Sequence, residues 1–393
     1  MWLPVIVFAC LGAVLYSYLL YPLVLFVLGA WVQGQRDVAR VFRKTERRAT
    51  LKQGELPEVA IVISAFNEEG HIRQRIANLL ELDYPADRWR AYIGSDGSRD
   101  ATGQILAECD DPRIQAFVFE QNRGKANVLN DLVSRTREPV LVFSDANTFF
   151  DREALRKLVA PFEDGRVGGV SGELRLAGSA GDNRDSLYWR IEQFLKFFEA
   201  RIGGLLGANG AIYAIRRAAW KPLRPDTICD DFCVAMNVAA AGHRLVYEPA
   251  AFAEEATPDF IGEEYRRRVR IGIGNFQALW RHPEYLLRTS KGTAFAYLSH
   301  KVLRWLAPHL LLVALGVSAW LGVASPAWRA FALLQLAGYL SAAVLFGLST
   351  RGRRLPTLLS LPAFLFALNW AFLVASWRYA SGRYSGTWRR SSR

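Results

Sequence analysis

Cysteine is scarce in this chain: Cys10, Cys109, Cys229 and Cys233 are the four among 393 residues. They are too few and too scattered for a disulfide framework. Cys229 and Cys233 have no further Cys or His at zinc-ligand spacing, so free thiols in a reducing compartment are expected. There is no internal repeat and no low-complexity tract. There is no P-loop either: Gly124 and Lys125 open a helix, but the glycine spacing and the hydroxyl residue are missing. The longest absence is of charge, with none in residues 3–32. A helix needs about 20 apolar residues to cross a bilayer. No basic segment precedes this stretch and no small-residue cleavage site follows it, so a retained span is expected rather than a signal peptide.

What is present is apolar and basic. The formal net charge is +12 and 51% of residues are hydrophobic. A second apolar block divides at "ASPAW" (324–328) and "TRGRRLP" (350–356) into spans near 302–323, 327–349 and 357–378. Arg304, Arg329 and Arg378, with Trp305, Trp320, Trp328, Trp377 and Tyr379, fall near span ends, as snorkelling and interface residues do. The spans carry no acids, which argues against a transporter. After the first span come Arg36, Arg40, Arg43, Lys44, Arg47 and Arg48. The positive-inside rule makes that side cytoplasmic, and such a cluster meets anionic lipid more often than nucleic acid. One conflict follows. Three later crossings put the basic segment after residue 380 outside, where the charge rule does not want it. Either one block is re-entrant or the rule fails here.

The soluble middle alternates strands and helices. Apolar runs at 58–66, 89–95, 113–119 and 139–145 read as strands, with helices expected near 69–82, 100–109, 124–136 and 151–163. Alternation of this length implies a mostly parallel α/β sheet with helices on both faces. Ligands in such sheets bind beyond the carboxyl ends of the strands. Asn67, Glu68 and Glu69, then Asp96, then Asp145 each follow a strand, so they should gather along one edge. A lone Asp there is usually a cap or turn residue, and Asp100 fits that role. Three acidic strand ends in succession suit a polar ligand with a cation. In "SDANT" (144–148), Asp145 and Asn147 can turn oxygens toward one point; an Asx turn accounts for them equally well. Asp230 and Asp231 open a further helix, where the dipole favours anions. Simple capping explains one of them better than both.

In order, "FNEE", "SDGSRDAT", "NRGKANVLN", "SDANT", "GANGAIYAIRR" (207–217) and "ICDDF" (228–232) resemble the family 2 inverting glycosyltransferases, in their membrane-bound synthase-like branch. The resemblance covers roughly 57–280. It implies an α/β GT-A nucleotide-sugar-binding domain flanked by transmembrane helices: a span at 1–33, a basic juxtamembrane segment at 34–56, the catalytic domain at 57–258, an amphipathic interfacial segment at 259–298, three spans within 299–380, and a basic tail at 381–393. It implies donor binding by Ala65, Asn67, Glu69, Asp96, Lys125, Asp145 and Arg270. Gly207, Asn209, Gly210 and Arg267 fall on the acceptor side. Asp231 takes the place of the general base, with Asp230 its acidic neighbour. Asp145 and Asn147 take the place of the ligands to Mg2+ or Mn2+.

The implied reaction moves a sugar from a nucleotide donor, a UDP-sugar, to a lipid-linked or polysaccharide acceptor at the inner membrane, with the catalytic domain cytoplasmic. No nucleic-acid partner is expected. The alternative is a processive synthase that exports its polymer. Two departures bear on that choice. Asn147 stands where the family has a second Asp. "RRVRI" (267–271) stands where processive synthases carry Gln-X-X-Arg-Trp, so Arg267 replaces Gln and Ile271 replaces the stacking Trp.

Overall fold

The computed structural model describes residues 2–43, 56–177, 183–256, 261–351, 353 and 355–386. Much of the basic stretch expected after the first span, and the end of the tail, lie outside these. The chain opens with α1 (Trp2–Leu15), a π-helical stretch (Tyr16–Leu20) and α2 (Tyr21–Arg43). Then strands and helices alternate: β1 (Val59–Ala65), α3 (Glu69–Leu80), β2 (Trp89–Asp96), α4 (Thr102–Ala107), β3 (Ile114–Phe119), α5 (Lys125–Arg135), β4 (Val140–Asp145), β5 (Thr148–Phe150) and α6 (Ala154–Val159). After them come β6 (Val167–Ala177), α7 (Asn183–Arg201), β7 (Tyr213–Arg216), α8 (Asp230–Ala240) and β8 (Arg244–Ala256). The remainder is helical: α9 (Ile261–Arg281), α10 (Glu284–Leu287), α11 (Lys291–Ala296), α12 (Leu303–Leu321), α13 (Pro326–Thr350) and α14 (Thr357–Ala380).

The strands form one eight-stranded sheet in the order β3-β2-β1-β4-β7-β6-β8-β5. β1 is buried along its whole length because both its faces are covered. Ala60 and Val62 face a core built with α5, α8 and α9; Val59, Ile61 and Ile63 face one built with α3, α4 and α6. The parallel expectation holds for β1 to β4. The rest of the sheet is mixed: β7 runs antiparallel to β4 and β6, while β6 and β8 are parallel.

This topology decides where the acids meet. The sheet order reverses at β1, with β2 on one side and β4 on the other. Register sets Ala65 beside Ser95 and Ser64 beside Asp145, so the three carboxyl ends are level. Because β7 is antiparallel to β4, the loop that precedes it returns to the end of β4 and carries 207–212 to Asp145. Behind this edge, Phe232 of α8 packs on Tyr285, Tyr297 and Trp305, with ring centroids 5.9–6.2 Å apart, and so joins the domain to the start of α12.

Candidate active site

The first strand end is a clasp between two loops. Asn67 is the one non-glycine residue with positive φ (54°) among the described residues, a conformation Asn tolerates. Its side-chain oxygen accepts the Arg99 N–H (2.8 Å), and its own N–H donates to Ser98 Oγ (3.1 Å). Glu69 accepts the Ala101 N–H (3.0 Å). Asp100 accepts from Thr102 N–H (3.0 Å), the capping role expected of it. Ala65 is fully buried at the end of β1.

Asp96 explains why a buried strand ends on a carboxylate and a Gly-Ser turn. It is 1% exposed, and its two oxygens accept the N–H groups of Arg123 and Gly124 (2.8 and 2.9 Å). A charge-assisted pair of this kind holds the loop 121–124 in place. Gly97 must be glycine. Its φ is +64°, and a Cβ there would lie 2.4 Å from the backbone nitrogen of Asn122. The clamped loop then launches α5 with Lys125 aimed across the sheet edge.

Lys125 is the hub. Its Nζ lies 2.8 Å from Asp145 Oδ1 and 3.2 Å from Asp230 Oδ2. Burial alone lowers an ammonium, but Asp145, Asp230 and Asp231 outweigh that and hold Lys125 well above its ordinary value. Asp231 sits on the far side of the pair. Its Oδ2 accepts the Gly210 N–H (3.1 Å) and its Oδ1 the Phe232 N–H (2.8 Å). Burial pushes the Asp231 carboxyl up to about 6, with Asp230 adding to the rise and Lys125 opposing it. Gly210 lies between two of the acids. A Cβ on it would lie 3.3 Å from Asp231 Oδ2 and 3.7 Å from Asp145 Oδ2.

The remaining expected residues fall around this centre. Asn209 donates its N–H to Ser171 Oγ (3.1 Å), and Gly207 packs under the Phe232 ring. Arg270 is half-buried on α9; burial lowers it while the charge of Asp230 opposes the drop. Arg267 is exposed, seven residues before Gly274 and so on the same face of α9. Gly274 rests on Cys229, just ahead of the Asp pair. All four cysteines are free; burial raises Cys229 well above its ordinary value and Cys233 to about 12, so neither is a ready thiolate.

Two residues close to this centre were not anticipated. Arg75 of α3 is fully buried behind Asp145, bonded to Asn78 Oδ1 (2.7 Å) and Ser144 Oγ (2.9 Å); burial lowers it to about 9 and Asp145 resists the drop. Lys196 of α7 donates to Ser171 Oγ (2.8 Å); burial lowers it to about 8 while Asp231 and Glu173 oppose. Arg75 did leave a sign: it sits on the apolar stripe of α3 between Ile72 and Leu79. Lys196 lies in a helix with no clean periodicity and left none.

A hard cation would find two protein oxygens here. Asp145 offers a carboxylate whose Oδ1 is already engaged by Lys125. Asn147 donates its amide N–H to Glu255 Oε1 (2.8 Å), which leaves its carbonyl oxygen as an acceptor. Among the described residues no group of three or more His, Cys, Asp or Glu could hold a metal. One carboxylate and one amide oxygen suit an ion that draws its other ligands from phosphate and water, as Mg2+ does.

Residues 60–221 match the family model described as Glycosyl transferase family 2. The chain is 23% identical over 286 residues to a poly-beta-1,6-N-acetyl-D-glucosamine synthase of Staphylococcus aureus, covering 69% of this chain and 67% of that one. It is 25% identical over 289 residues to the synthase of the same name from Staphylococcus epidermidis, covering 70% and 68%. Among solved structures it resembles the mannosyltransferase PcManGT from Pyrobaculum calidifontis, solved with GDP-Man and Mn2+. The TM-score is 0.71 at 19% identity, covering 97% of this chain and all of that one, which is a likeness of fold.

Proposed function

We propose that this chain, whose residues 60–221 belong to glycosyl transferase family 2, moves an N-acetylhexosaminyl or hexosyl group from a UDP-sugar to a glycan, with inversion. The chain is a membrane glycosyltransferase of the GT-A fold that uses a nucleotide sugar. The finer reading concerns donor, acceptor, residue roles and the side of the membrane. Its main support is the arrangement of Asp231, Asp230, Lys125 and Asp145 at the carboxyl ends of the strands. Lys125 pairs with two of these carboxylates, and the third, Asp231, has a raised pKa and accepts the Gly210 N–H.

In this reading Asp231 is the general base. The acceptor hydroxyl attacks the anomeric carbon, its proton passes to an Asp231 oxygen, and the bond to the donor diphosphate breaks with its electron pair on the leaving phosphate. A carboxylate near pKa 6 is ionised at neutral pH and is a stronger base than an ordinary Asp. Lys125 and Arg270 supply positive charge toward the diphosphate. Asp145 and the Asn147 carbonyl would hold a divalent cation, Mg2+ or Mn2+, which when bound neutralises phosphate charge as a Lewis acid. Asp96 acts by fixing the loop that carries Lys125. Asn67 and Glu69 border the base and ribose, and Gly207 and Asn209 border the acceptor. The arginines that follow the first span favour the inner (plasma) membrane with the catalytic domain in the cytoplasm. The relatives' names support a polysaccharide acceptor, with a lipid-linked glycan as the other form it could take.

The test is a donor screen on the full chain purified in detergent with Mg2+ or Mn2+, reading nucleotide release. UDP-N-acetylglucosamine is expected to be the best donor; preference for a GDP-sugar would overturn the UDP assignment. The relatives' being named synthases favours a second reading, processive polymerisation. Against it, the position of the stacking Trp is held by Ile271, 41% exposed on α9 and with no flat ring to grip a sugar. With acceptor in large excess, short products that lengthen together are expected. Long polymer beside untouched acceptor would promote the synthase.

A further inference from the structure

Among the described residues, four helical stretches are long and apolar enough to cross a membrane: 2–38, 291–321, 326–350 and 358–380. Their contacts do not give them one role. Phe8 packs on Trp328 at the α12–α13 turn (5.9 Å), while Tyr16 and Ser17 reach Ser299, and Tyr21 reaches Glu199 of the catalytic domain. The first stretch therefore runs from the far side to the domain. α12 runs the opposite way from Ser299 to the turn at Gly322, whose carbonyl accepts Arg329 Nε (3.0 Å). α13 comes back, with Gln335 bonded to Ser318 (3.0 Å). These three share an axis.

α14 does not. Phe366 packs on Phe346 (5.9 Å), Asn369 lies beside Tyr18, and Ser376 bonds His309 (2.9 Å). Each contact can be read as a depth along α12. Tyr18 lies under Arg304 (5.2 Å). The antiparallel register set by Gln335 and Ser318 puts Phe346 opposite Ala307. Positions 366, 369 and 376 span about 15 Å of helix at 1.5 Å per residue. They all meet the bundle between the depths of Arg304 and His309, a step of about 8 Å. A helix that gains so little depth over such a length lies steeply inclined to the bundle axis.

Its neighbour says the same. α14 runs alongside α9 in the same direction: Arg268 covers Phe364 (4.8 Å), Gly272 lies against Ala375 and Phe372, and Tyr384 accepts Arg281 Nη2 (2.8 Å). α9 carries Arg266, Arg267, Arg268 and Arg270. A helix crossing the bilayer beside it would draw that arginine row into hydrocarbon, which costs at least a few kcal/mol per charge by the lowest scales. After α14 the chain comes back to the catalytic domain. Gly386 sits against the backbone of Asp226, four residues before Asp230.

We propose that α14 lies in the membrane leaflet next to the catalytic domain rather than across the bilayer. Its partner there is lipid, met by Leu358, Leu361, Trp370 and Trp377, each 47–84% exposed. The chain then crosses three times, and the segment after α14 shares a side with the catalytic domain. Arg351, Arg353, Arg378 and Arg383 fall on the same side as the arginines after the first span. The conflict between charge and crossing number disappears.

The test labels cysteines with a membrane-impermeant maleimide in sealed vesicles of known orientation. The full chain is used with Cys10 and Cys109 replaced by Ser, since Cys229 and Cys233 are buried. Arg383→Cys reports the segment after α14, Val323→Cys the α12–α13 turn, and Arg73→Cys the catalytic surface; Val323 is 77% exposed and the Arg73 side chain 68%. Arg383→Cys and Arg73→Cys are expected to label together, in the vesicles where Val323→Cys is protected. Labelling of Arg383→Cys with Val323→Cys would overturn the proposal. Protease cleavage of a tag placed after Arg393 gives the same answer without a cysteine, and neither readout depends on activity.

Discussion

Two clusters of buried charge lie on either side of α7, and they differ in pairing. At the strand ends, Lys125 pairs with Asp145 and Asp230, Arg75 and Arg270 act on the same two acids from further off, and Asp231 beside them has no ion pair among the described residues. Beneath α7, Glu199 and Glu192 face His300, Lys301 and Arg304, and the Tyr21 hydroxyl bonds Glu199 as well (2.9 Å). Glu199 is 2% exposed and His300 3%. In the second cluster both acids have basic partners: Glu199 meets His300, and Glu192 meets His300, Lys301 and Arg304. It fastens α7 to the first span and to the start of α12 through hydrogen bonds from Tyr21, His300 and Arg304. In the first, Asp231 is left without a basic partner in bonding reach among the described residues and rests on the N–H groups of Gly210 and Phe232. Burial and a neighbouring carboxylate raise the pKa of an acid left without a basic partner, and such an acid is suited to take up a proton. Incomplete pairing distinguishes the candidate site from the closely paired joint.

The largest effect expected is at the incompletely paired cluster. Asp231→Asn keeps the shape and removes the base, so kcat should fall roughly 10²–10⁴-fold, the range for a lost general base. Donor affinity, read by nucleotide binding, should hold. In the parent, kcat/KM should rise as pH climbs through about 6, because the ionised carboxyl is the active form. Near-normal turnover in Asp231→Asn would move the role to Asp230, tested the same way.

Next comes Lys125. Lys125→Met removes the charge that holds Asp231 down. The acid limb of the rate profile should therefore move to higher pH, and kcat should drop roughly 10²-fold through weaker stabilisation of the leaving phosphates. Asp145→Ala should lose activity supported by Mg2+ or Mn2+ to a similar degree. Full activity of the parent in excess chelator would refute a catalytic metal.

The closely paired cluster should respond in the opposite way. Glu199→Ala leaves Tyr21 and His300 without their acceptor, and breaking a buried pair costs about 3–5 kcal/mol. The thermal midpoint in detergent should drop, while kcat per folded molecule stays within about twofold of the parent. A large kcat loss with an unchanged midpoint would erase the distinction between the clusters.

How much of this was legible in the sequence differs along the chain. β1 to β4 were readable because each is a mainly apolar run that stops at a polar turn, and the acids after β1, β2 and β4 pointed to the candidate site. β6 was hidden by its glycines, "VGGVSG", and β7 by being four residues long. The Asp pair was visible from its motif, but its tie to Asp145 across Gly210 comes from the antiparallel return of β7. α14 shows the limit most clearly. Its hydropathy is that of a crossing helix, and only its contacts with α9, α12 and α13 give its inclination.

Lys196 lies between the two clusters and carries the smallest expected effect. Burial lowers it to about 8; the charges of Asp231, Glu173 and Glu199 resist, and Lys301 adds to the drop. Its Nζ is fixed on Ser171 Oγ, which also receives the Asn209 N–H next to Gly210. Asp231 is already ionised at pH 8, so there the Lys196 ammonium acts only through the positive field it adds toward the leaving phosphates, and that help fades as it deprotonates. The parent should therefore show a shallow decline of kcat/KM above about pH 8, a few-fold at most because Lys125 supplies the nearer charge. Lys196→Arg keeps its charge at every accessible pH and should flatten that limb. Lys196→Met should lower the plateau and move the acid limb slightly upward, with the thermal midpoint nearly unchanged. An alkaline limb that survives both substitutions would assign the titration elsewhere and leave Lys196 a packing residue. A flattened limb in Lys196→Arg would mark it as the link through which the joint beneath α7 tunes the site above it.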